Sequence, residues 1–254
     1  MAHAACYDSA GQRMIVFGGY DNTTPAPVLL ADTHALSLSG GGNGSWSAVS
    51  ASGSAPVARA FCTACYDSVG NRVVVFGGND GTVPRNDVHV LSLAASPAWS
   101  SPTTSGTPPV ARYGHAAALD TASNTLLVFG GFDGTNHLND TFSLDLSTWQ
   151  WTQVTVGSPP GVRREMGFGF DTINRRFYLF GGWSGTTALN DVRYYSFSTA
   201  AWSSLSPSGT APAPRLGSGA AFDTGHNRLI LFGGASTSMP PPLLVLFLDV
   251  CDLR

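Results

Sequence analysis

The sequence predicts an all-β chain in which one four-stranded antiparallel meander occurs five times, repeated around an axis. The tripeptide Phe-Gly-Gly recurs five times, at intervals of 51 to 59 residues. Short β-branched, apolar and aromatic runs precede these tripeptides, as in RVVVFGG and TLLVFGG, and such runs are typical of strands. Thirty glycines and sixteen prolines among 254 residues indicate many turns and few long helices.

Two other residue types recur in register with the Phe-Gly-Gly tripeptides. An aspartate stands nine residues before each phenylalanine, and an arginine stands eight residues before each aspartate except the first. Fixed spacings over several copies identify a repeated structural unit. The aspartates are Asp8, Asp67, Asp120, Asp171 and Asp223, and the arginines are Arg59, Arg112, Arg163 and Arg215.

Four strands are predicted in each unit. The first ends at the aspartate, and the second ends at the double glycine, where a turn-rich loop such as NDGTVPRND begins. A third apolar strand such as VHVLSL follows the loop, and a tryptophan marks the fourth strand. We expect all four of these tryptophans to pack in the core, namely Trp46, Trp99, Trp151 and Trp202.

This order of residues resembles the kelch repeat, and it is seen whole in PVARYGHAAALD, LLVFGG, NDTFSLDL and tryptophan at 109–151. The resemblance covers essentially the entire chain. It implies a β-propeller with one four-stranded blade per repeat, in a single domain spanning residues 1–254. The expected blades are approximately 1–54, 55–107, 108–158, 159–210 and 211–254.

The last repeat departs from the kelch pattern. The run LLVLFLDV at 243–250 aligns with NDTFSLDL at 139–146, so this repeat has lost its Asn-Asp pair. The chain then reaches Arg254 without a fourth-strand tryptophan. The sequence therefore predicts a five-bladed propeller with an incomplete last blade, and the alternative is a fragment of a six- or seven-bladed propeller.

Charge and hydropathy exclude two classes of partner. Charged residues make up 11% of the chain and the net charge is −3, so no basic footprint for nucleic acid is present. All thirteen cations are arginine, and Glu165 is the only glutamate. The longest apolar runs are too short to span a bilayer, so no membrane partner is expected.

The stretch FCTACYD at 61–67 contains a Cys-x-x-Cys pair, Cys62 and Cys65. Residues three apart on a strand point to opposite faces, so this pair is not expected to chelate one metal ion or to form a local disulfide. Cys62 shares its repeat position with His3, His115 and Met166, a set that could be imagined as a metal site in a channel. We interpret the set as one repeat position that varies between blades, and we expect no metal and no cofactor.

No catalytic constellation can be assembled from the acidic residues. Twelve aspartates fall in repeat positions at turns and loops, where aspartates usually bond nearby backbone amides. No spacing nominates the pair of carboxylates that a glycosidase requires. The sequence favours a non-enzyme and leaves the question open, because a sugar mutarotase needs only one acid or base and Glu165 adjoins two arginines.

One side of the predicted sheets collects the candidate binding residues. Because alternate connections of a meander lie at opposite ends of the strands, the arginine turns and the residues after Gly-Gly should share a side, away from the turn aspartates. In the fourth repeat, either Arg163 or Arg164 occupies the arginine position. The candidates are Arg59, Arg112, Arg163, Arg164, Arg215, Tyr20, Asn79, Phe132 and Trp183.

The kelch resemblance gives this side a function. In kelch propellers that recruit proteins, arginines at this turn and aromatic residues after Gly-Gly contact acidic peptide segments. The resemblance thus implies a shallow basic funnel rimmed by Tyr20, Phe132 and Trp183. An arginine of this type can instead pair with a loop aspartate and hold the turn, and the sequence leaves both roles open.

The sequence therefore favours a binding or scaffold module for a protein or acidic peptide. Exposed aromatic residues and loop carboxylates also suit carbohydrate, so a glycan-binding protein or a mutarotase-like enzyme is the alternative. The four cysteines do not indicate a cellular compartment.

Overall fold

A computed structural model of the chain describes residues 1–23, 27–38, 43–155, 157–236 and 250–253. Within these ranges the regular elements are 23 strands, and no helix is present. No helix in this part of the chain could therefore cross a membrane. The strands form five sheets of three to five strands and one two-stranded ribbon.

The first repeat forms sheet 1 and the ribbon. Its strands are β1 (Ala4–Asp8), β2 (Arg13–Phe17), β3 (Tyr20–Asp21), β4 (Val28–Leu29), β5 (Thr33–Ser37) and β6 (Ser45–Ala48). Sheet 1 is an antiparallel meander in the order β1-β2-β5-β6. The ribbon pairs β3 with β4, in the loop that follows the first double glycine.

Sheets 2 and 3 each contain five strands. The strands of sheet 2 are β7 (Ser52–Gly53), β8 (Thr63–Asp67), β9 (Arg72–Phe76), β10 (Val88–Ser92) and β11 (Ala98–Ser100), in the order β7-β11-β10-β9-β8. The strands of sheet 3 are β12 (Ser105–Gly106), β13 (Ala116–Asp120), β14 (Thr125–Phe132), β15 (His137–Asp145) and β16 (Gln150–Val154), in the order β12-β16-β15-β14-β13.

Sheets 4 and 5 complete the described structure. Their strands are β17 (Gly167–Asp171), β18 (Arg176–Trp183), β19 (Ala188–Ser196), β20 (Ala201–Leu205), β21 (Gly219–Asp223), β22 (Arg228–Phe232) and β23 (Val250–Leu253). Sheet 4 is the meander β17-β18-β19-β20, and sheet 5 is the three-stranded meander β21-β22-β23.

The contacts divide the chain into two compact units. Unit 1 comprises Met1–Tyr113, Thr121–Thr125 and Leu144–Thr152. Unit 2 comprises Gly114–Asp120, Leu126–Ser143 and Gln153–Arg254. Strands β14, β15 and β16 have residues in both units.

Each unit has an apolar core between the faces of successive sheets. In unit 1, one face of sheet 1 packs on sheet 2 through Ile15, Phe17, Val73, Leu91 and Trp99. In unit 2, one face of sheet 3 packs on sheet 4 through a larger aromatic set. That set includes Leu127, Phe129, Phe177, Tyr195 and Trp202.

One aromatic pair recurs in these cores. The phenylalanine of one Phe-Gly-Gly contacts the fourth-strand tryptophan of the next repeat, with ring centroids 4.7 to 5.4 Å apart. Aromatic pairs at this separation add to the stabilisation from burial. The pairs are Phe17 with Trp99, Phe76 with Trp151, and Phe129 with Trp202.

The expectation that all four fourth-strand tryptophans pack in the core is wrong for Trp46. Trp99, Trp151 and Trp202 are buried, whereas Trp46 is 57% exposed. The reason is that each buried tryptophan is covered by the phenylalanine of the preceding repeat in the sequence. Trp46 belongs to the first repeat of the sequence and is in none of these three pairs.

Two short strands cross from one repeat into the next sheet, a feature that the sequence analysis missed. Ser52–Gly53 pairs in parallel with β11, and Ser105–Gly106 pairs in parallel with β16. Gly53 and Gly106 have positive φ, and a Cβ on either would stand 2.2 to 2.3 Å from a tryptophan carbonyl oxygen. Only glycine permits such a close backbone approach.

The register of the last repeat differs from the sequence alignment. Val250 lies opposite Phe232, where Val88 and Val192 lie opposite their own phenylalanines. The third strand is thus displaced by five residues from the predicted alignment of 243–250, most of which lies outside the described residues. In sequence, Asp249 precedes Val250 just as Asp87 precedes Val88, so this repeat retains an aspartate at the Asn-Asp position.

Trp46 and Trp202 form a matched pair for testing the core. Replacing Trp202 by alanine should lower the free energy of unfolding by about 3–5 kcal/mol, because the side chain contacts Phe129 and Phe177 in the core. Replacing the exposed Trp46 should change it by about 0.5 kcal/mol or less in dilute protein. Urea unfolding would measure both, and equal losses would contradict the assignment.

Candidate functional site

The arginines of the Pro-x-x-Arg turns are buried. The side chain of Arg59 is 1% exposed, and that of Arg163 is 3% exposed. Arg59 donates from Nη1 and Nη2 to the two carboxylate oxygens of Asp87, at 2.5 and 2.9 Å. Arg163 donates in the same way from Nη1 and Nη2 to the two carboxylate oxygens of Asp191, at 2.6 and 3.0 Å. A forked arginine–carboxylate pair is among the stronger polar contacts in proteins.

The same arginines also bond the backbone of their own repeat. Nε of each donates to the carbonyl oxygen two residues earlier, at 3.0 to 3.1 Å. For Arg59, Arg163 and Arg215, Nη1 donates to the carbonyl of the first glycine of the double glycine, at 2.9 to 3.1 Å. These carbonyl groups lie where water is excluded, so the buried guanidinium satisfies them.

The backbone of each arginine connects its repeat to the preceding one. The second glycine of one double glycine donates its N–H to the carbonyl of the arginine in the next repeat. This bond joins Gly19 to Arg59, Gly78 to Arg112, Gly131 to Arg163 and Gly182 to Arg215. Both glycines of each pair have positive φ, which glycine adopts without steric cost. The arginine turns and the residues after Gly-Gly therefore share a side of the sheets.

Burial changes the role of four candidate site residues. As whole residues, Arg59, Arg112, Arg163 and Arg215 are at most 2% exposed, so they do not form an open basic funnel for an outside ligand. The other role that the sequence left open, in which the arginine holds the turn against a loop aspartate, describes Arg59 and Arg163. In the fourth repeat Arg163 is the buried member, and Arg164 is half-buried.

The Asn-Asp pairs that follow the loops contact two arginine turns, the turn of their own repeat and the turn of the following repeat. Asp87 and Asp191 hold the arginine of their own repeat. Asn86 donates from Nδ2 to the carbonyl of Pro109, and Asn190 donates in the same way to Pro212. Those prolines lie in the Pro-x-x-Arg turns of the following repeats, so the pair fastens two successive turns.

Unit 2 gathers three of the candidate residues into what we call the arginine cluster: Phe132, His137, Arg164, Glu165 and Trp183. The Arg164 guanidinium carbon lies 5.4 Å from the centroid of the Phe132 ring, within cation–π range. The imidazole of His137 packs on the same ring, with centroids 4.7 Å apart. Arg164 and Trp183 exchange two backbone hydrogen bonds of 2.9 and 3.0 Å. All five side chains are half-buried.

Glu165 neutralises part of the charge of this cluster. Its Oε1 lies 3.4 Å from Nη1 of Arg164, and its side chain is 19% exposed. Burial raises the pKa of the Glu165 carboxyl, and the adjacent Arg164 only partly opposes that rise. Glu165 also has a φ of 55°, a left-handed conformation that is uncommon outside glycine. The equivalent positions in the neighbouring repeats are Gly114 and Gly217.

Unit 1 carries a second group, which we call the tyrosine cluster: Tyr20, Phe61 and Tyr113. The Phe61 ring lies between the two tyrosines, with centroid distances of 6.1 and 5.9 Å. All three side chains are half-buried. Phe61 has a φ of 57°, so it occupies the same left-handed repeat position as Glu165. The structure thus gives one predicted residue, Tyr20, two aromatic neighbours that the sequence analysis did not nominate.

The remaining candidate, Asn79, has a local role. Its Oδ1 accepts a 2.7 Å hydrogen bond from the N–H of Gly81, and its backbone pairs with Ala60. The additional residues Phe61 and Tyr113 lie two positions and one position after a buried arginine. Those two positions vary in the sequence beside an invariant arginine, and that contrast is the signal that could have identified them.

The Cys-x-x-Cys pair is part of the fold. Cys62 is buried and Cys65 half-buried, and burial raises the pKa of both thiols to about 12. Near neutral pH both side chains are therefore protonated thiols. Among the described residues, no three His, Cys, Asp or Glu side chains come together as a metal-ligand group. Cys6, Cys62 and Cys65 are not in disulfides.

These features define a class of protein. Antiparallel meanders joined by Pro-x-x-Arg turns, double glycines and Asn-Asp pairs are those of a kelch-repeat protein, an all-β propeller. The chain matches the family model of the KLHDC2/KLHL20/DRC7 Kelch-repeats domain over residues 1–108 and 68–249. The chain belongs to this family, which confirms the kelch resemblance and the propeller fold class.

Several curated proteins are similar to this chain. Acyl-CoA-binding domain-containing protein 5 of Arabidopsis thaliana is 31% identical over 195 residues, which are 75% of this chain and 28% of that protein. Adagio-like protein 1 of Oryza sativa subsp. japonica is 33% identical over 202 residues, with coverages of 77% and 31%. The Rab9 effector protein with kelch motifs of Xenopus laevis is 32% identical over 189 residues, which are 73% of this chain and 48% of that protein. The chain therefore spans less than half the length of these relatives.

A first prediction from this site concerns the buried arginine side chains. Replacing Arg59, whose side chain is 1% exposed, by alanine should lower the free energy of unfolding by about 3 kcal/mol, because a buried side chain is truncated and the Gly77 carbonyl loses its donor. Arg85 is the matched control, since its side chain also pairs with an aspartate, Asp80, but is 41% exposed. Its replacement by alanine should cost at most about 1 kcal/mol. Similar losses in urea unfolding would contradict the scaffold role of Arg59.

A second prediction concerns the pH dependence that Glu165 causes. Because its pKa is raised in the folded protein, the folded state binds this proton more tightly than the unfolded state. Stability from this group is therefore present at low pH and is lost as the pH rises through the folded-state pKa. Glu165→Gln, which mimics the protonated form, should raise the melting temperature at pH 7 and leave it nearly unchanged at pH 4. An equal shift at both pH values would contradict this assignment.

Proposed function

We propose that this chain is a protein-interaction module, and that the arginine cluster of unit 2 binds an acidic peptide segment of the partner. The observation that carries the proposal is the Arg164 guanidinium, held over the Phe132 ring in a partly accessible position. No nucleic acid, membrane or cofactor is part of this proposal.

The chemistry of the cluster fits a carboxylate that lies next to an apolar group. Arg164 provides a planar donor, and the packed ring of Phe132 restrains it before a ligand arrives. Trp183, whose backbone pairs with that of Arg164, adds a large aromatic surface beside the charge. Arginine and tryptophan are the residue types that most often dominate the binding energy of protein interfaces.

Glu165 sets the condition under which an acidic ligand binds. At neutral pH its carboxylate competes for Arg164, and an incoming carboxylate must displace this contact. Protonation of Glu165, which its raised pKa favours, removes this competing carboxylate. Affinity for an acidic peptide is therefore expected to increase as the pH falls toward 5, and Glu165→Gln should increase it at pH 7.

The family membership and one relative support the general function. The Rab9 effector protein with kelch motifs is named as an effector of another protein, Rab9. By analogy, this chain would also act through a protein partner. The proposal includes the arrangement of the chain as one propeller domain, in which the five sheets are five blades with the boundaries expected from the sequence.

The test is a paired array of acidic peptides and glycans, probed with the wild-type chain and with variants. Arg164→Ala and Trp183→Ala should each weaken peptide binding by about tenfold or more, the range of an interface hot spot. Arg228→Ala is the charge-matched control. Arg228 pairs with Asp223 at the opposite end of its strand from the double glycine, so its loss should leave binding unchanged.

The array can also reject the proposal. Peptide binding that survives both variants would place the contact elsewhere on the chain. Binding to sugars alone would favour the carbohydrate alternative, in which the Glu165 carboxyl, with its raised pKa, would be the acid or base of a mutarotase. Equal losses with Arg228→Ala would show that only net charge is being measured.

A further inference from the structure

Three side chains of the second repeat form a hydrogen-bonded chain that runs from a hydroxyl to a carboxylate. Oγ of Ser101 lies 3.0 Å from Nδ1 of His89, and Nε2 of His89 lies 3.0 Å from Oδ2 of Asp87. All three residues belong to unit 1. The ion pair of Asp87 with Arg59 requires neither His89 nor Ser101, so the scaffold role of that pair does not account for this chain of bonds.

The register of the strands brings the serine and the histidine together. Val90 of β10 is paired with Ser100 of β11, so His89 and Ser101 are the next neighbours across the two strands. His89 is also aligned with Val75, a core residue of unit 1. The His89 side chain is 12% exposed, whereas Ser101 is exposed. The imidazole is therefore held at the margin of the core, beside a serine that is open to solvent.

Asp87 decides which nitrogen of His89 carries the proton. Although burial opposes the change, hydrogen bonds from Arg59 and His89 lower the pKa of the Asp87 carboxyl, so this group is ionised at neutral pH. A carboxylate only accepts hydrogen bonds, so Nε2 of the neutral imidazole is the nitrogen that carries hydrogen. Nδ1 then has a lone pair that accepts the hydrogen bond of the Ser101 hydroxyl.

We propose that Ser101 is an activated nucleophile, with His89 as its general base and Asp87 as the residue that orients the imidazole. A hydroxyl within hydrogen-bond distance of a base, which a third group orients, is the arrangement that activates serine for acyl transfer. Either imidazole nitrogen can act as the base, and here it is Nδ1. The substrate class is a small or exposed carboxylic ester, because Ser101 is open to solvent. This activity is separate from the peptide binding proposed for unit 2.

The reaction balances in two steps that need only the ester and water. In the first, Oγ of Ser101 attacks the ester carbonyl while its proton passes to Nδ1 of His89, which then protonates the departing alkoxide. The alcohol leaves, and the acyl group remains on Oγ. In the second, His89 takes a proton from water as the water attacks the acyl group, and returns this proton to Oγ as the carboxylic acid is released. A positioned general base contributes about 10²–10⁴-fold in rate.

The fourth repeat contains the same chain of bonds with an arginine in place of the histidine. Nη1 of Arg193 donates to Oγ of Ser204 at 2.7 Å, and Nε donates to Oδ2 of Asp191 at 2.9 Å. Ser204 is exposed, like Ser101. Arginine has no acceptor atom and stays protonated, so it cannot take a proton from a hydroxyl. Ser204 is therefore a matched control within the same molecule.

The experiment treats the chain with a fluorophosphonate and locates the adducts by peptide mass spectrometry. Fluoride leaves as the bond between Oγ and phosphorus forms, and His89 takes the serine proton. Ser101 should be labelled at least about tenfold faster than Ser204, and His89→Gln should slow the labelling of Ser101 by about 10²-fold or more. Ser101→Ala should also reduce the hydrolysis of p-nitrophenyl acetate to the rate in buffer alone.

Asp87 acts through His89, so its test uses a signature that a purely structural role would not change. Nitrogen-15 NMR of the wild-type chain should show the proton of neutral His89 on Nε2. Asp87→Asn should move this proton toward Nδ1 and slow the labelling of Ser101. Asp191→Asn, which alters the equivalent carboxylate of the fourth repeat, should leave the labelling rate of Ser101 unchanged.

Two results would overturn the proposal. One is labelling of Ser101 no faster than that of Ser204. The other is a neutral His89 whose proton lies on Nδ1, which could then not accept from the hydroxyl. Both measurements use the wild-type chain, so they decide the matter even where a variant fails to fold. Neither depends on whether unit 2 binds a peptide.

Discussion

The arrangement of these repeats depends on a buried arginine that bonds two double glycines, one through its guanidinium and the other through its backbone carbonyl. The arginine donates to a glycine carbonyl and to the aspartate of its own repeat, while its backbone carbonyl accepts from the second glycine of the preceding repeat. A Cβ on Gly18, Gly130 or Gly181 would lie 2.6 to 2.8 Å from an arginine carbonyl oxygen. Arginine, aspartate and glycines are therefore mutually dependent, which explains why they recur together.

Repetition is what made most of the fold predictable from the sequence. Five tripeptides in register locate the second strand of every sheet, and the fixed spacings locate the first. The spacing of residues does not show whether the side chain at a given position is buried or exposed. Arg59 pairs with an aspartate 28 residues later, and Trp46 is exposed although Trp99, Trp151 and Trp202 at the equivalent position are buried. The register of the last strand was missed because 243–248 is uniformly apolar, so sequence alone offers several alignments.

The candidate binding residues lie next to the buried arginines, at positions whose residue type varies between repeats. Immediately after each buried arginine come two positions whose backbone bonds recur between repeats but whose side chains differ in type and burial. Tyr113 and Arg164 occupy one of these positions, and Phe61 and Glu165 the other, without any change in the bonds of the neighbouring arginine. The fold can thus carry aromatic or charged surfaces in different repeats at little structural cost, and these positions differ too much to be found by their repetition.

The short strands Ser52–Gly53 and Ser105–Gly106 have a consequence for how such a chain can be cut or extended. Each short strand belongs to one repeat in the sequence but pairs in the sheet of the next repeat, so the chain itself links successive sheets. Removing one repeat by cutting at the boundaries of its sheet would leave one sheet without a strand and another with an extra strand. Excision or duplication between equivalent points of two loops after the double glycines preserves every overlap. Such loops are therefore the natural seams for gaining or losing a repeat by recombination.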